Sequence, residues 1–324
     1  MALPALGIDV SKKKLDLALL VGGKMKHKVC ENTPAGYLTM LEWLKRQKVD
    51  QVHAVLEATG GLEEGAAIAL AEAGHLVSLQ NPGLIQKFAA SLGHRSKTDK
   101  LDATAIALYA DRMREDLRVW TPPPVELREL RELVNRRQAL VEMRTQELNR
   151  LESLGKKETS VRDSIQKVLA HLNQEIQRLE ELIHEHINRH PGLKSQVGLL
   201  KSIPGVGDVT AALFLGEVGA LLPSLTHAKQ LVSYCGMNVR HKQSGSSVNG
   251  KSRISKCGNK RLRSALYMPA LTALRMNEAV RALAARLEER GKSRMVQIGA
   301  AMRKLLHQMF GVLKHQREFD PAIA

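Results

Sequence analysis

Two hydrophobic periods, and a switch from one to the other, predict an α/β domain followed by helical segments. Short apolar runs near the start alternate with polar residues as strands do, and longer stretches repeat apolar residues three and four apart as helices do. From residue 125 onward the helical period dominates. The expected organisation is an α/β domain over 1–120, a helical hairpin or coiled coil over 121–192, and a mostly α-helical domain over 193–324.

Taken in order, residues 5–21 (ALGIDVSKKKLDLALLV) read as a two-stranded hairpin around a lysine-rich turn, with Asp9 ending the first strand and Asp16 facing solvent on the second. TPAGYLTMLEWLKRQ suits a helix, QVHAVLEATG a buried strand, LEEGAAIALAEAG a helix closed by Gly74, and HLVSLQ a further strand. A helix then runs through DKLDATAIALYADRMRE until TPPP at 121–124 stops it. The middle segment carries a heptad-like stripe of Ile165, Val168, Leu172, Ile176, Leu179, Ile183 and Ile187, with GKKETS at 155–160 as the turn of the hairpin. Beyond it, SIPGVG at 202–207 resembles the tight turn of a helix-hairpin-helix, whose amides face phosphate. Met295, Met302 and Met309 recur seven apart as core filling, and Gly291 parts the last two helices.

The charge balance narrows the function. With 49 Lys and Arg against 33 Asp and Glu, a net charge of +16 selects a polyanionic partner, because phosphate contacts release counterions. A hydrophobic content of 44% excludes a disordered tail. No apolar run long enough to cross a bilayer exists, and MALPALGIDV lacks the pattern of a signal peptide, so a cytoplasmic protein is expected. Cys30, Cys235 and Cys257 are too scattered for a disulfide framework or a zinc site.

The cations are concentrated. Between Val218 and Asn277 there is no Asp or Glu, whereas Arg240, Lys242, Lys251, Arg253, Lys256, Lys260, Arg261 and Arg263 surround the polar stretch SGSSVNGKSRIS. This segment is the expected nucleic-acid contact. Aromatics make up only 3% of the chain, so recognition should lean on backbone and shape rather than base stacking.

Against this excess of positive charge, the acids of HRSKTDKLDA stand out. Asp99 and Asp102 sit three apart, about 60° from each other around a helix, and can converge on one point. Asp9 and Glu57 end strands of the same domain. Four acids at element ends suit hard divalent cations such as Mg²⁺, and a pair of such ions about 4 Å apart supports phosphodiester displacement.

The motifs GIDVSKKKLD, LEATGG, KTDKLDA, SIPGVG and SGSSVNGKSRISKCGNKRLRSALYMPA, in this order, resemble the DEDD transposases of bacterial insertion sequences, recombinases guided by a bridge RNA. The resemblance covers essentially the whole chain. It implies a ribonuclease-H-like, resolvase-like N-terminal domain in which Asp9, Glu57, Asp99 and Asp102 are the catalytic, Mg²⁺-binding acids. It also implies that Ser244, first of the SGSS run, attacks DNA as a nucleophile and leaves a covalent 5′-phosphoserine intermediate. Target DNA, donor DNA and a noncoding bridge RNA are the implied partners, in a homodimer or homotetramer with no membrane, acting at the nucleoid.

Two other functions fit the residues. A Holliday-junction-type metal-dependent nuclease would use water in place of Ser244 and leave free DNA ends. A non-catalytic basic nucleic-acid-binding protein would bind without cutting under any metal.

Overall fold

The computed structural model describes residues 3–92, 98–154, 159–244 and 248–322. They form two compact units, divided between Pro122 and Pro123.

The first unit is built on strands β1 (Ala5–Val10), β2 (Lys14–Val21) and β3 (Lys24–Glu31), helix α1 (Pro34–Arg46), strand β4 (His53–Glu57), helix α2 (Glu64–Glu72), strand β5 (Leu76–Gln80), and helices α3 (Pro82–Ser91) and α4 (Asp99–Arg112). The sheet order is β3-β2-β1-β4-β5. The first three strands are antiparallel, and β4 and β5 run parallel to β1. This is the ribonuclease-H-like α/β arrangement. The expected opening hairpin is present, and β3 extends it. That strand, KMKHKVCE, is largely exposed and charged, so it lacks the apolar run by which a strand is recognised.

Both faces of the sheet are covered. Leu6, Ile8, Leu15, Leu17 and Leu19 pack with Met40 and Leu44 of α1 and Leu70 of α2. On the opposite face Ala5 and Val55 pack with Ile85 of α3 and Ile106, Tyr109 and Ala110 of α4. The buried imidazole of His53 lies 2.8 Å from Ser78 Oγ, which itself donates to the Arg118 carbonyl at 2.8 Å. Burial, with Arg114 nearby, holds the His53 pKa below the ordinary histidine value.

The second unit opens with two long helices, α5 (Val125–Ser153) and α6 (Thr159–Arg189). They pack antiparallel, as shown by Arg137 on Glu180 at 2.5 Å and Arg144 on Asn173 at 3.3 Å. Of the expected stripe, Leu172, Ile176, Leu179, Ile183 and Ile187 are buried, but Val168 is exposed and Leu169 takes its place. Ile165, Leu169, Leu172 and Ile176 alternate spacings of four and three, so the correction restores a regular a/d seam. The expected turn at 155–160 falls largely outside the described residues.

Next come α7 (Pro191–Lys201), α8 (Asp208–Val218), α9 (Ala228–Tyr234), strands β6 (Val239–Ser244) and β7 (Val248–Ile254), then α10 (Lys260–Ala265), α11 (Tyr267–Met276), α12 (Glu278–Glu289) and α13 (Arg294–His315). Their core joins Phe214 and Leu215 of α8, Leu231 of α9, Leu274 of α11 and Leu305, Leu306 and Met309 of α13 to Leu130 and Ile187 of the long helices. Met302 and Met309 are buried as expected. Met295 is 66% exposed, because it falls in the first turn of α13, beyond the reach of that core.

Candidate active site

The site in the first unit begins with an absent side chain. A Cβ at residue 7 would lie 2.2 Å from the Ala107 amide nitrogen and 2.3 Å from the Ala103 carbonyl oxygen, so glycine alone allows α4 to rest directly on β1. Ala18, which pairs with Gly7 across the strands, is buried with Ala103 and Ala107. This close packing of small residues delivers the first turn of α4 to the end of β1. Asp9, two residues past Gly7, projects from the same face of the strand.

At that turn the Thr98 hydroxyl caps the helix by accepting the Leu101 amide at 3.3 Å. Asp99 and Asp102 follow, where backbone amides and the helix dipole favour negative charge. One carboxylate oxygen from each of Asp9, Asp99 and Asp102 lies within 4.8 Å of the others. Asp9 and Asp102 are half-buried and Asp99 is exposed. All three donors are hard anionic oxygens, the ligand type that Mg²⁺ and Mn²⁺ prefer, and the separations fit one coordination sphere.

Glu57 is not among the three that converge. It ends β4, and since Ile8 pairs with Leu56, Asp9 and Glu57 are the next residues along two adjacent parallel strands. The backbone therefore sets Glu57 beside Asp9. Its following loop is fastened by Glu63, a buried residue whose Oε2 accepts the Thr59 amide at 3.1 Å, the Thr59 hydroxyl at 3.0 Å and the Gly61 amide at 2.9 Å. The doubled acids of GLEE concealed this role, since either can read as a solvated helix start.

Two further residues enlarge the cluster. Lys14 Nζ lies 2.7 Å from Asp99 Oδ2 and 3.0 Å from Asp16 Oδ2. These contacts, Asp99 first, raise the Lys14 pKa above the ordinary lysine value. Asp16 is buried rather than solvent-facing as the sequence suggested. It sits opposite Asp9 in the β1–β2 register, and opposed residues share a face of the sheet. That face is covered by α4, so alternation on β2 does not lead to water. The spacing of Asp9 and Asp16 around a short turn was the available signal for this pairing.

In the second unit, the polar stretch belongs to an antiparallel hairpin. Strands β6 and β7 pair from Val239 with Ile254 to Ser244 with Val248, with a register shift between Arg240 and Lys242. Charged and polar strand residues hid the hairpin from any test based on apolar alternation. The side chains of Lys242, Ser244 and Lys251 lie outside the described residues, as do the whole of His94, Ser246 and Ser247.

The base of the hairpin is fixed by one asparagine. Asn259 caps α10 by accepting the Leu262 amide at 2.9 Å, donates its own amide to the Tyr234 carbonyl at 2.7 Å, and donates Nδ2 to Glu217 Oε2 at 2.5 Å. Glu217, whose side chain is 4% exposed, also pairs with Arg261 Nε at 3.1 Å. A Cβ at Gly258 would lie 2.3 Å from the Tyr234 carbonyl oxygen, and φ there is +146°, so glycine is required beside this junction. Arg263 donates to the Cys235 carbonyl at 2.8 Å. Burial pushes the Cys235 thiol up to about 12. Of the expected phosphate-binding cations, Arg261 and Arg263 make internal contacts, and Arg240, Arg253, Lys256, Lys260 and Arg261 are exposed.

The DEDD transposase profile of the IS110 group matches residues 6–156, and the profile of the IS116/IS110/IS902 transposase family matches residues 197–285. Over 321 residues, 98% of each chain, the protein is 33% identical to the pilin gene-inverting proteins of Moraxella lacunata and Moraxella bovis. The chain belongs to the IS110 family of transposases.

As an IS110-family transposase and recombinase, it is also 29% identical over 153 residues to an uncharacterized 43.6 kDa protein of the insertion element IS110 from Streptomyces coelicolor, covering 47% of this chain and 36% of that one. A solved T. thermophilus RuvC in complex with a Holliday junction substrate is similar at 18% identity, covering 37% of this chain and all of that one, with a TM-score of 0.30. No described helix of this transposase is long and apolar enough to cross a membrane.

Proposed function

We propose that this transposase is an RNA-guided DNA recombinase in which Ser244 attacks a DNA phosphate with the help of Mg²⁺ held by Asp9, Asp99 and Asp102, with Glu57 beside them. The observation that supports it most is the convergence of three carboxylates where Gly7 lets α4 meet β1. Magnesium bound there would supply a positive field for an oxygen losing its proton and for charge on the phosphate. The chain's own residues hold that site: Asp9 from the sheet, Asp99 and Asp102 from a capped helix, and Glu63 fastening the loop beyond Glu57.

Ser244 ends β6, and Arg240 and Arg253, a cross-strand pair of exposed cations, stand toward the other end of the same hairpin. They would hold the DNA backbone electrostatically beside the reacting serine's strand. In the reaction the Ser244 Oγ–P bond forms and the P–O3′ bond breaks. The serine gives up its proton, the departing 3′ oxygen takes one up, and the DNA 5′ end remains on the protein as a phosphoserine. Reversal with a different 3′ hydroxyl completes strand exchange.

Several features fit guidance by a bridge RNA. The exposed cations are suited to backbone contact, aromatics are few, and the base pairing of a guide would carry sequence choice. The division of labour over residues 1–120, 121–192 and 193–324 follows: metal-binding acids, a helical hairpin suited to holding protomers together as a homodimer or homotetramer, and the serine-bearing domain. The pilin gene-inverting relatives are consistent with DNA rearrangement as the outcome.

The deciding experiment supplies flanking noncoding RNA, Mg²⁺, target DNA and donor DNA to the wild type, Ser244→Ala and Asp102→Asn. Both variants should lose recombination, with Ser244→Ala still binding DNA. Full recombination by Ser244→Ala removes the nucleophile. Free DNA ends without a protein adduct instead favour the metal-dependent nuclease, a reading that needs only the acid cluster, a divalent ion and water as the nucleophile. Binding with no strand breakage under any metal leaves the non-catalytic reading.

A further inference from the structure

We infer that Lys14 is a resident counter-cation of the acid cluster that must release Asp99 for a divalent ion and then turns to DNA phosphate, so that metal and DNA binding are coupled. This inference rests on the metal-centre reading above and adds how loading of that centre is controlled.

The geometry carries it in three steps. The ammonium of Lys14 lies 2.7 Å from Asp99 Oδ2, the same residue whose carboxylate lies within 4.8 Å of those of Asp9 and Asp102. A divalent ion takes carboxylate oxygens at about 2.0–2.6 Å, so an ion shared by these acids would stand within a few ångströms of the Lys14 charge. Two cations that close repel, and Asp99 cannot serve both fully.

Lys14 is also built to swing rather than to leave. Its backbone is locked, for Ser11 donates both its amide, at 3.0 Å, and its hydroxyl, at 2.9 Å, to the Lys14 carbonyl. The Lys14 amide in turn donates to Ser11 Oγ at 3.2 Å. Its tip has a second holder in Asp16, at 3.0 Å, whose side chain is only 10% exposed and so is a fixed anchor. The lysine side chain itself is 43% exposed, leaving open space on its outer side. An ammonium offers three donors, so Lys14 can stay on Asp16 and exchange Asp99 for a phosphate oxygen.

Coupling follows from this exchange. Without DNA, Lys14 competes with the divalent ion for Asp99. With DNA bound, a phosphate replaces Asp99 as the partner of Lys14, and the competition is relieved. By reciprocity, metal must strengthen DNA binding by the same factor. The device keeps the centre weakly loaded until a substrate is present.

The test is Mn²⁺ binding to the full-length protein, read by the loss of the free-ion electron paramagnetic resonance signal, with and without a short DNA duplex. Lys14→Met should bind Mn²⁺ about tenfold more tightly than wild type when DNA is absent, since one positive charge has gone from the cluster. Adding the duplex should raise the affinity of wild type by a larger factor than that of Lys14→Met. Lys14→Arg, which keeps the charge, should behave as wild type and controls for folding. Equal or weaker Mn²⁺ binding by Lys14→Met, or an identical DNA effect in both proteins, overturns the inference while leaving the metal centre intact. If wild-type binding of Mn²⁺ is absent or unaffected by Asp102→Asn, the metal centre itself fails and the coupling falls with it.

Discussion

The two units place charge by opposite means. In the first, carboxylates are gathered at one point by backbone packing: Gly7 admits α4, and the acids are carried by a strand end and a capped helix turn. In the second, cations are spread along a hairpin and the helix after it, and what is tightly packed is the base beneath them, where Asn259 joins α8, α9 and α10. A metal centre needs fixed distances, whereas a phosphate surface needs summed charge and tolerates movement. The first region should therefore fail abruptly when its packing is disturbed, and the second should fail by degrees.

The largest effect is expected from Gly7→Val. Its side chain would strike the backbone of α4, so equilibrium unfolding should show a loss of about 3 kcal/mol or more. Any folded fraction should have lost Mn²⁺ affinity, since Asp99 and Asp102 move with the helix. Unchanged stability and metal binding would break the contrast between the regions.

Glu217→Ala should rank next. It leaves Asn259 Nδ2 and Arg261 without their buried partner, which should cost about 1–3 kcal/mol in denaturant unfolding. Glu217→Gln keeps an acceptor for Asn259 and should recover part of that loss. Arg240→Ala, on the exposed hairpin, should leave stability within about 0.5 kcal/mol of wild type. Its effect should appear in DNA binding instead, as a salt-dependence slope smaller by about 1 and a uniform weakening across sequences.

The smallest effect concerns pH. His53 is buried, and its folded-state pKa is held below the ordinary value of 6.5. The unfolded chain then binds the proton more readily than the folded one, so the stability contributed by neutral His53 is present above pH 6.5 and lost as pH falls through the folded-state value. The melting temperature of the full chain should decline in acid below about pH 6.5, and His53→Gln should flatten part of that decline.

How much of this was legible in the sequence differs between the same two regions. Asp9, Asp99 and Asp102 were readable because each stands at the end of a strongly patterned element, where the period of the strand or helix fixes its direction. Asp16 was misread because alternation reports which side of a strand a residue takes, and not whether that side is covered. Lys14 and Gly7 act through contacts with residues far along the chain, Asp99 and Ala107, which no local pattern contains. In the second unit the helices followed from their apolar spacing, yet the hairpin of β6 and β7 did not, since Arg240, Gln243 and Arg253 mark no buried face. The same local view could not show that Arg261 and Arg263 also bond to Glu217 and the Cys235 carbonyl.

The most direct test of the proposed chemistry is mass spectrometry of the protein after reaction with DNA, RNA and Mg²⁺, stopped before strand exchange is complete. The expected result is a peptide carrying a 5′-linked nucleotide on Ser244, absent from Ser244→Ala and from Asp102→Asn. Cleaved DNA with no nucleotide on any serine of that peptide would contradict it.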